Sequence, residues 1–138
     1  MSYMMDTNIC IFLMKNYPDV VAQFKQKRSM GVVISSITAS ELYYGLHNSK
    51  TPEKIALHLA NFFIGVPVLD YNATTGDCYG KLRAELKQKN AIIGELDMLI
   101  AAHAKSLNLT LVTNNTREFK RVSGLVIEDW RNKHMPFH

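Results

Sequence analysis

The sequence predicts an α/β protein in which a mostly parallel central sheet of about five strands is covered by helices on both faces, a three-layer α/β/α sandwich. Three observations carry this reading. The apolar strand-like runs are short and do not alternate, segments with helical spacing separate them, and no linker-like stretch divides the 138 residues. A chain of this length is the usual size of one domain, so residues 1–138 are expected to form a single unit. Right-handed crossovers leave few topologies for such a chain. Ligands then collect beyond the carboxyl ends of the strands, near the point where strand order reverses.

The elements follow in order. Tyr3-Met4-Met5 reads as a buried strand ending in the polar turn Asp6-Thr7-Asn8, and Ile9 to Lys15 as the first helix. Pro18 suits the first position of a helix reaching Arg28, with Val20, Val21 and Phe24 at helical spacing. Val32-Val33-Ile34 is the second strand. Ser35-Ser36-Ile37-Thr38 leads into a helix from about Ala39 to Asn48, and Pro52 opens another running to about Ile64. Val66-Pro67-Val68-Leu69 is a short third strand, followed by a long amphipathic helix from Ala73 to Asn90. From Leu96 to Leu107, the residues Leu96, Leu99, Ile100, His103 and Leu107 fall on one helical stripe. Leu109 to Thr113 is a fourth strand and Leu125-Val126-Ile127 a fifth.

Composition excludes several classes. Hydrophobic residues make up 47% and charged residues 20%, an ordinary globular balance. The apolar run Ile9 to Met14 is far shorter than the ~20 residues of a membrane span, and no basic segment precedes it as in a signal peptide. Cys10 and Cys78 are far apart, with no ligand spacing around them, so neither a zinc site nor a disulfide framework is indicated and a reducing cytoplasm fits best. A net charge of +4 suits an anionic partner without demanding one.

Three acids stand at element boundaries. Asp6 directly follows the first strand, Glu41 lies in the first turn of the helix after the second, and Asp97 opens the helix before the fourth. Each also has a structural explanation. Asp6 suits a helix N-cap, Thr38-Ala39-Ser40-Glu41 reads as a capping box, and Asp97 in a first helical turn meets the helix dipole favourably. The joint argument is different: the fold brings three carboxylates from distant segments to one end of one sheet, where they repel one another unless a cation is present. Hard oxygen ligands suit Mg²⁺ or Mn²⁺, and the chemistry they permit is phosphodiester hydrolysis without a His or Lys base. Thr113 to Phe119 follows the fourth strand at the same edge. It offers Thr113 and Asn115 as hydrogen-bonding partners of the carboxylates and Glu118 as a fourth acid, or else a polar turn.

The blocks Met5 to Ile11, Ile34 to Thr38 with Glu41, Leu42 and Gly45, Gly94 to Ala104, and Leu111 to Phe119, ending with Ile127 to Trp130, resemble VapC toxins in order and spacing. The resemblance runs from Tyr3 to Trp130. It implies a PIN-like fold, Mg²⁺ or Mn²⁺ dependence, and endonucleolytic cleavage of structured RNA, commonly tRNA, that arrests translation and growth. Asp6, Glu41 and Asp97 match the family's catalytic and metal-binding acids, with Thr7, Asn8, Thr113, Asn115 and Glu118 as supporting residues. The family's fourth position, often Asp, falls at Asn115 here. The resemblance also implies a homodimer, neutralised by a VapB-type antitoxin that carries the operator DNA binding.

Other residues invite function. Lys81, Arg83, Lys87 and Lys89, with Arg117, Lys120 and Arg121, offer an RNA-backbone rim, or a solvated helix face with Lys81–Glu85 and Glu85–Lys89 pairs. Tyr43 and Tyr44 would stack on bases or cover ordinary helical surface. His103, on the apolar stripe, reads as a hydrogen-bonded core residue rather than a base. A phosphatase using Asp6 as nucleophile would be expected to show Asp-x-Asp, whereas Asp6-Thr7-Asn8 stands here. The alternative outside catalysis is an inert α/β module that binds RNA or protein, its acids serving only as caps.

Overall fold

The computed structural model describes residues 2–131; the expected unit 1–138 extends beyond them at both ends. The order is β1 (Tyr3–Met5), α1 (Thr7–Met14), α2 (Pro18–Lys27) with a 3-10 turn at Arg28–Met30, β2 (Val32–Ser35), α3 (Ser36–His47), α4 (Pro52–Gly65), β3 (Val68–Leu69), α5 (Ala73–Gln88), α6 (Glu95–Ser106), β4 (Thr110–Val112), α7 (Thr116–Phe119) and β5 (Ile127–Glu128). The sheet order is β3-β2-β1-β4-β5, and every pairing is parallel. From β1 the chain builds outward through β2 and β3, then returns to the other side of β1 for β4 and β5. The order therefore reverses between β1 and β4, and the crevice expected of such sheets opens there.

The pleat divides the core between two layers. Tyr3 and Met5 face Ile9, Val20, Leu42, Phe62 and Trp130, whereas Met4 faces Leu82, Leu86, Met98, Leu111 and Phe119. Strands buried on both faces need no alternation, which is why their sequences lack it. Trp130 packs against Tyr3 at 6.0 Å between ring centroids, and Arg131 pairs with Asp19 of α2 in a nearly buried contact. These contacts fasten the end of the described chain across the first layer. Among the described residues, no helix is long and apolar enough to cross a membrane.

Three expectations are corrected. First, α3 begins at Ser36 rather than about Ala39, because extended Ser35 serves as its N-cap and its hydroxyl accepts from the Ile37 N–H at 3.1 Å. Glu41 is thus the sixth residue of α3, and Thr38, whose hydroxyl is buried without a hydrogen-bond partner among the described residues, does not cap it. The capping-box reading of Glu41 falls. Second, the α6 stripe holds only in its middle: Ile100 and His103 are buried along with Met98, Ala101, Ala102 and Ala104, whereas Leu96 and Leu107 at its ends are 47% and 45% exposed. The helix is enclosed by α5, the sheet and α3, and alanines allow that close approach. Third, Thr116–Phe119 is a helical turn, and β5 lies later than Leu125 to Ile127. With so few residues, β3 and β5 carry little periodic signal.

Candidate active site

The site grows from the end of β1. The Asp6 N–H donates to Val112 O at 2.9 Å, fixing Asp6 beside the end of β4, where the strand order reverses. Its backbone is extended, its Oδ1 accepts from the Ile9 N–H at 3.0 Å, and it caps α1 as expected. The Thr113 hydroxyl, just past β4, faces the same carboxylate and favours its charged form, while accepting from the Asn115 N–H at 2.9 Å. Capping therefore occupies one edge of Asp6 and does not exclude another role.

Glu41 reaches the crevice from α3, where Thr7, the first residue of α1, donates to its Oε1 at 2.6 Å. Asp97 enters from the first turn of α6. Gly94, which precedes that helix, leaves the room it needs: a Cβ on Gly94 would lie 3.2 Å from Asp97 Oδ2. Glu118, on α7, lies close enough to act on Asp97. Asp6 at the β1 end, Glu41 of α3 and Asp97 of α6 thus lie close enough to act on one another, and Glu118 of α7 acts on Asp97.

Their electrostatics are unfavourable without a counter-charge. Burial pushes the Asp6 carboxyl up from 3.8 to about 6; the Thr113 hydroxyl and Ile9 N–H oppose this, and the Asp97 and Glu41 charges add to it. Asp97 is also raised, by burial first and then by Glu41 and Glu118. Among the described residues, no three Asp, Glu, His or Cys side chains draw close enough to cage a metal by themselves. An open carboxylate set fits a hydrated divalent cation, because such an ion binds through one or two carboxylates and keeps several waters. The donor chemistry and the raised acids therefore suit the cation that the sequence implied.

The remaining expected residues separate into two groups. Thr7 and Thr113 sit within the cluster, whereas Asn8 is exposed and Asn115 caps α7 without a side-chain hydrogen bond. On α5, Arg83 donates to Tyr79 Oη at 2.6 Å and to Glu95 Oε1 at 3.1 Å. Lys81 pairs with Asp77, and two residues along a helix are about 200° of rotation, so it lies on the far side from Arg83. Glu85 pairs with Lys89, not with Lys81. Lys87 and Arg117 are exposed. His103 is 1% exposed, with Nδ1 2.7 Å from Ser35 Oγ, and burial pushes its pKa down; it is the core histidine the sequence suggested. Sequence reasoning missed Ser35, which caps α3 and meets His103 at once. Its only signal was a serine between a strand and a helix.

The PIN domain family matches residues 3–125. Over 130 residues the chain is 44% identical to the tRNA(fMet)-specific endonuclease VapC of Shigella flexneri, covering 94% of this chain and 98% of that protein. It is 42% identical over 132 residues to ribonuclease VapC2 of Rickettsia felis, with the same coverage. The fold superposes with a TM-score of 0.90 on the crystal structure of VapBC2 from Rickettsia felis bound to a DNA fragment from their promoter, at 41% identity, covering 95% of this chain and 100% of that one.

Proposed function

The chain belongs to the PIN-domain family, among the VapC ribonucleases, and from that premise we propose that it is the toxin half of a toxin–antitoxin pair. As a single domain over residues 1–138 it cleaves structured RNA internally, tRNA foremost, and so inhibits translation and growth. PIN-domain nucleases generally depend on a divalent metal; here we assign Mg²⁺, with Mn²⁺ as substitute, to Asp6, Glu41 and Asp97. The observation that carries this reading is the set of mutually repelling acids Asp6, Glu41 and Asp97 at the strand reversal, with the buried Asp6 raised to about 6. A cation bound there would supply charge neutralisation at the phosphoryl oxygens and a more acidic water.

The chain's own residues do the remaining work. The Ile9 N–H and Thr113 hydroxyl favour the charged form of Asp6 against its burial, and the Thr7 hydroxyl orients Glu41. Asp97, beside Glu41 and Glu118, completes the carboxylate face and leaves an acid to accept the proton of the attacking water. Asn8 and Asn115 flank this face, and Arg83, Lys87 and Arg117 serve the RNA backbone, with Lys81 contributing from the far side of α5. A VapB-type antitoxin neutralises the enzyme and brings operator DNA to the complex, and the toxin itself forms a homodimer. The structure of VapBC2 on promoter DNA supports this assembly. Two free cysteines are in keeping with the bacterial cytoplasm.

The test is incubation of purified protein with total cellular RNA and Mg²⁺ or Mn²⁺, beside Asp6→Asn and an EDTA control, with 5′ ends mapped. Discrete cuts lost in both controls are expected. Intact RNA with folded, antitoxin-free, metal-loaded protein would favour the inert binding module.

A further inference from the structure

Several of the basic side chains already have acidic partners: Lys27, Lys81, Arg83, Lys89 and Arg131 all form ion pairs. Lys15 and Lys54 do not. Both are exposed, and neither side chain makes an ion pair or hydrogen bond among the described residues. Together they line a slot of ≈ 400 Å³ bounded by α1, α3 and α4, which has Leu42, Ile55 and Leu59 on its floor and Glu41 in its wall. That volume lies within the ~300–1,000 Å³ of small-ligand pockets.

Gly45 adds an independent observation. It lies one turn after Glu41 on α3, lines the same slot, and has an ordinary helical backbone. A Cβ there would meet nothing within 4 Å. Glycine in a helix interior is less stable than alanine, so neither packing nor backbone conformation accounts for it. Gly76 and Gly80 of α5 are equally open, but Gly45 lines the slot, so the wall carries no side chain about 6 Å along the helix from Glu41.

We propose that this slot is a subsite for one nucleotide of the RNA, next to the phosphate that is cut. The base enters over the apolar floor beside Gly45, and Lys15 and Lys54 hold the adjoining phosphates. This rests on the ribonuclease reading and adds to it the place where sequence preference arises. Single-stranded RNA is read through splayed-out bases laid on apolar or aromatic surfaces, while backbone contacts set position. Two unpaired cations around an apolar floor that opens onto Glu41 match a nucleotide better than an apolar protein segment.

The experiment uses total bacterial tRNA as probe, with Gly45→Leu and Lys15→Ala/Lys54→Ala as variants. Cleavage is measured in Mg²⁺, tRNA affinity is measured on an Asp6→Asn background, and melting checks the fold. Gly45→Leu is expected to melt no lower than the parent, to lose about 10²-fold in kcat/KM, and to alter the base found beside the cuts. The double lysine variant is expected to bind tRNA about tenfold more weakly, with a salt slope shallower by about 1–2. Wild-type cleavage with unchanged rates and sites in both variants overturns the subsite. So does loss of antitoxin binding alone, which would make the slot a protein groove. If the wild type does not cut tRNA, the ribonuclease reading fails first, and unchanged affinity on the Asp6→Asn background then rejects the subsite separately. Should Gly45→Leu not fold, the lysine variant decides.

Discussion

The Asp6 carboxylate accepts from the Ile9 N–H while burial and two neighbouring acids push its pKa to about 6, so the apo protein holds a proton there more tightly than the unfolded chain does. That stabilisation is full below about pH 4, the unfolded value, and is lost as pH rises through about 6. The group should contribute on the order of 2–3 kcal/mol of such pH dependence. Melting in EDTA between pH 4 and 8 should show it, and Asp6→Asn, which keeps an N-cap, should flatten it and abolish RNA cleavage. A pH-independent difference between the two proteins would contradict this account. Thr113→Val removes a hydroxyl that favours charged Asp6, and Thr7→Val removes the donor to Glu41. Each should lower cleavage about 10–100-fold, with melting little changed. His103→Leu should behave oppositely, losing about 1–3 kcal/mol of stability with the buried hydrogen bond to Ser35 while the folded enzyme cleaves normally well below its melting temperature.

At the level of elements, the ends of helices carry much of the local specification. Three residues at positive φ, Asn16, Asn90 and Asn108, lie just past the C-caps of α1, α5 and α6. Asparagine tolerates the left-handed region that closes a helix, and a β-branched residue does not. Asn90→Gly should leave stability unchanged or slightly raised, whereas Asn90→Val should lower it by about 1–2 kcal/mol in chemical denaturation. Equal stabilities would mean that the turn is not fixed by this conformation. The start of α3 makes the complementary point. Both Ser35 and Thr38 are capping residues by type, and only the extended backbone of Ser35 decides between them.

For the whole molecule, the opposing demands of the acid crevice and the fold meet in cation binding. A ligand that binds only the folded, ionised site stabilises it by about 2.7 kcal/mol at a hundred times its dissociation constant. Mg²⁺ should therefore raise the melting temperature more at pH 8 than at pH 5, the reverse of the EDTA series, because it needs the carboxylates that protonation removes. A melting temperature insensitive to Mg²⁺ and Mn²⁺ at pH 8 would count against the metal assignment. The nearly buried Asp19–Arg131 pair ties the last described residue to α2. Asp19→Ala should cost about 3–5 kcal/mol by removing the carboxylate partner of a nearly buried arginine charge.

The order of the strands and main helices, the two-faced burial of the sheet, and Asp6 and Asp97 at element boundaries were legible in the residues themselves, whereas Glu41 lies deeper in α3 than its capping-box pattern suggests. Each legible feature depends on local pattern: short apolar runs such as Met4-Met5, proline at Pro18 and Pro52, and an acid beside a strand end or in a first helical turn. The partnerships were not legible. Thr7 meets Glu41 across 34 positions and Ser35 meets His103 across 68. Among the described residues Lys15 and Lys54 share a slot with Glu41 and form no ion pair, while Arg83 is drawn to Glu95. Periodicity reports how often a residue returns to one side of its own helix, but the side that faces a neighbour depends on how the helices rotate and dock. That is why α6 buries Met98 and three alanines beside Ile100 and His103 of its expected stripe, while the leucines at the stripe's ends stay exposed.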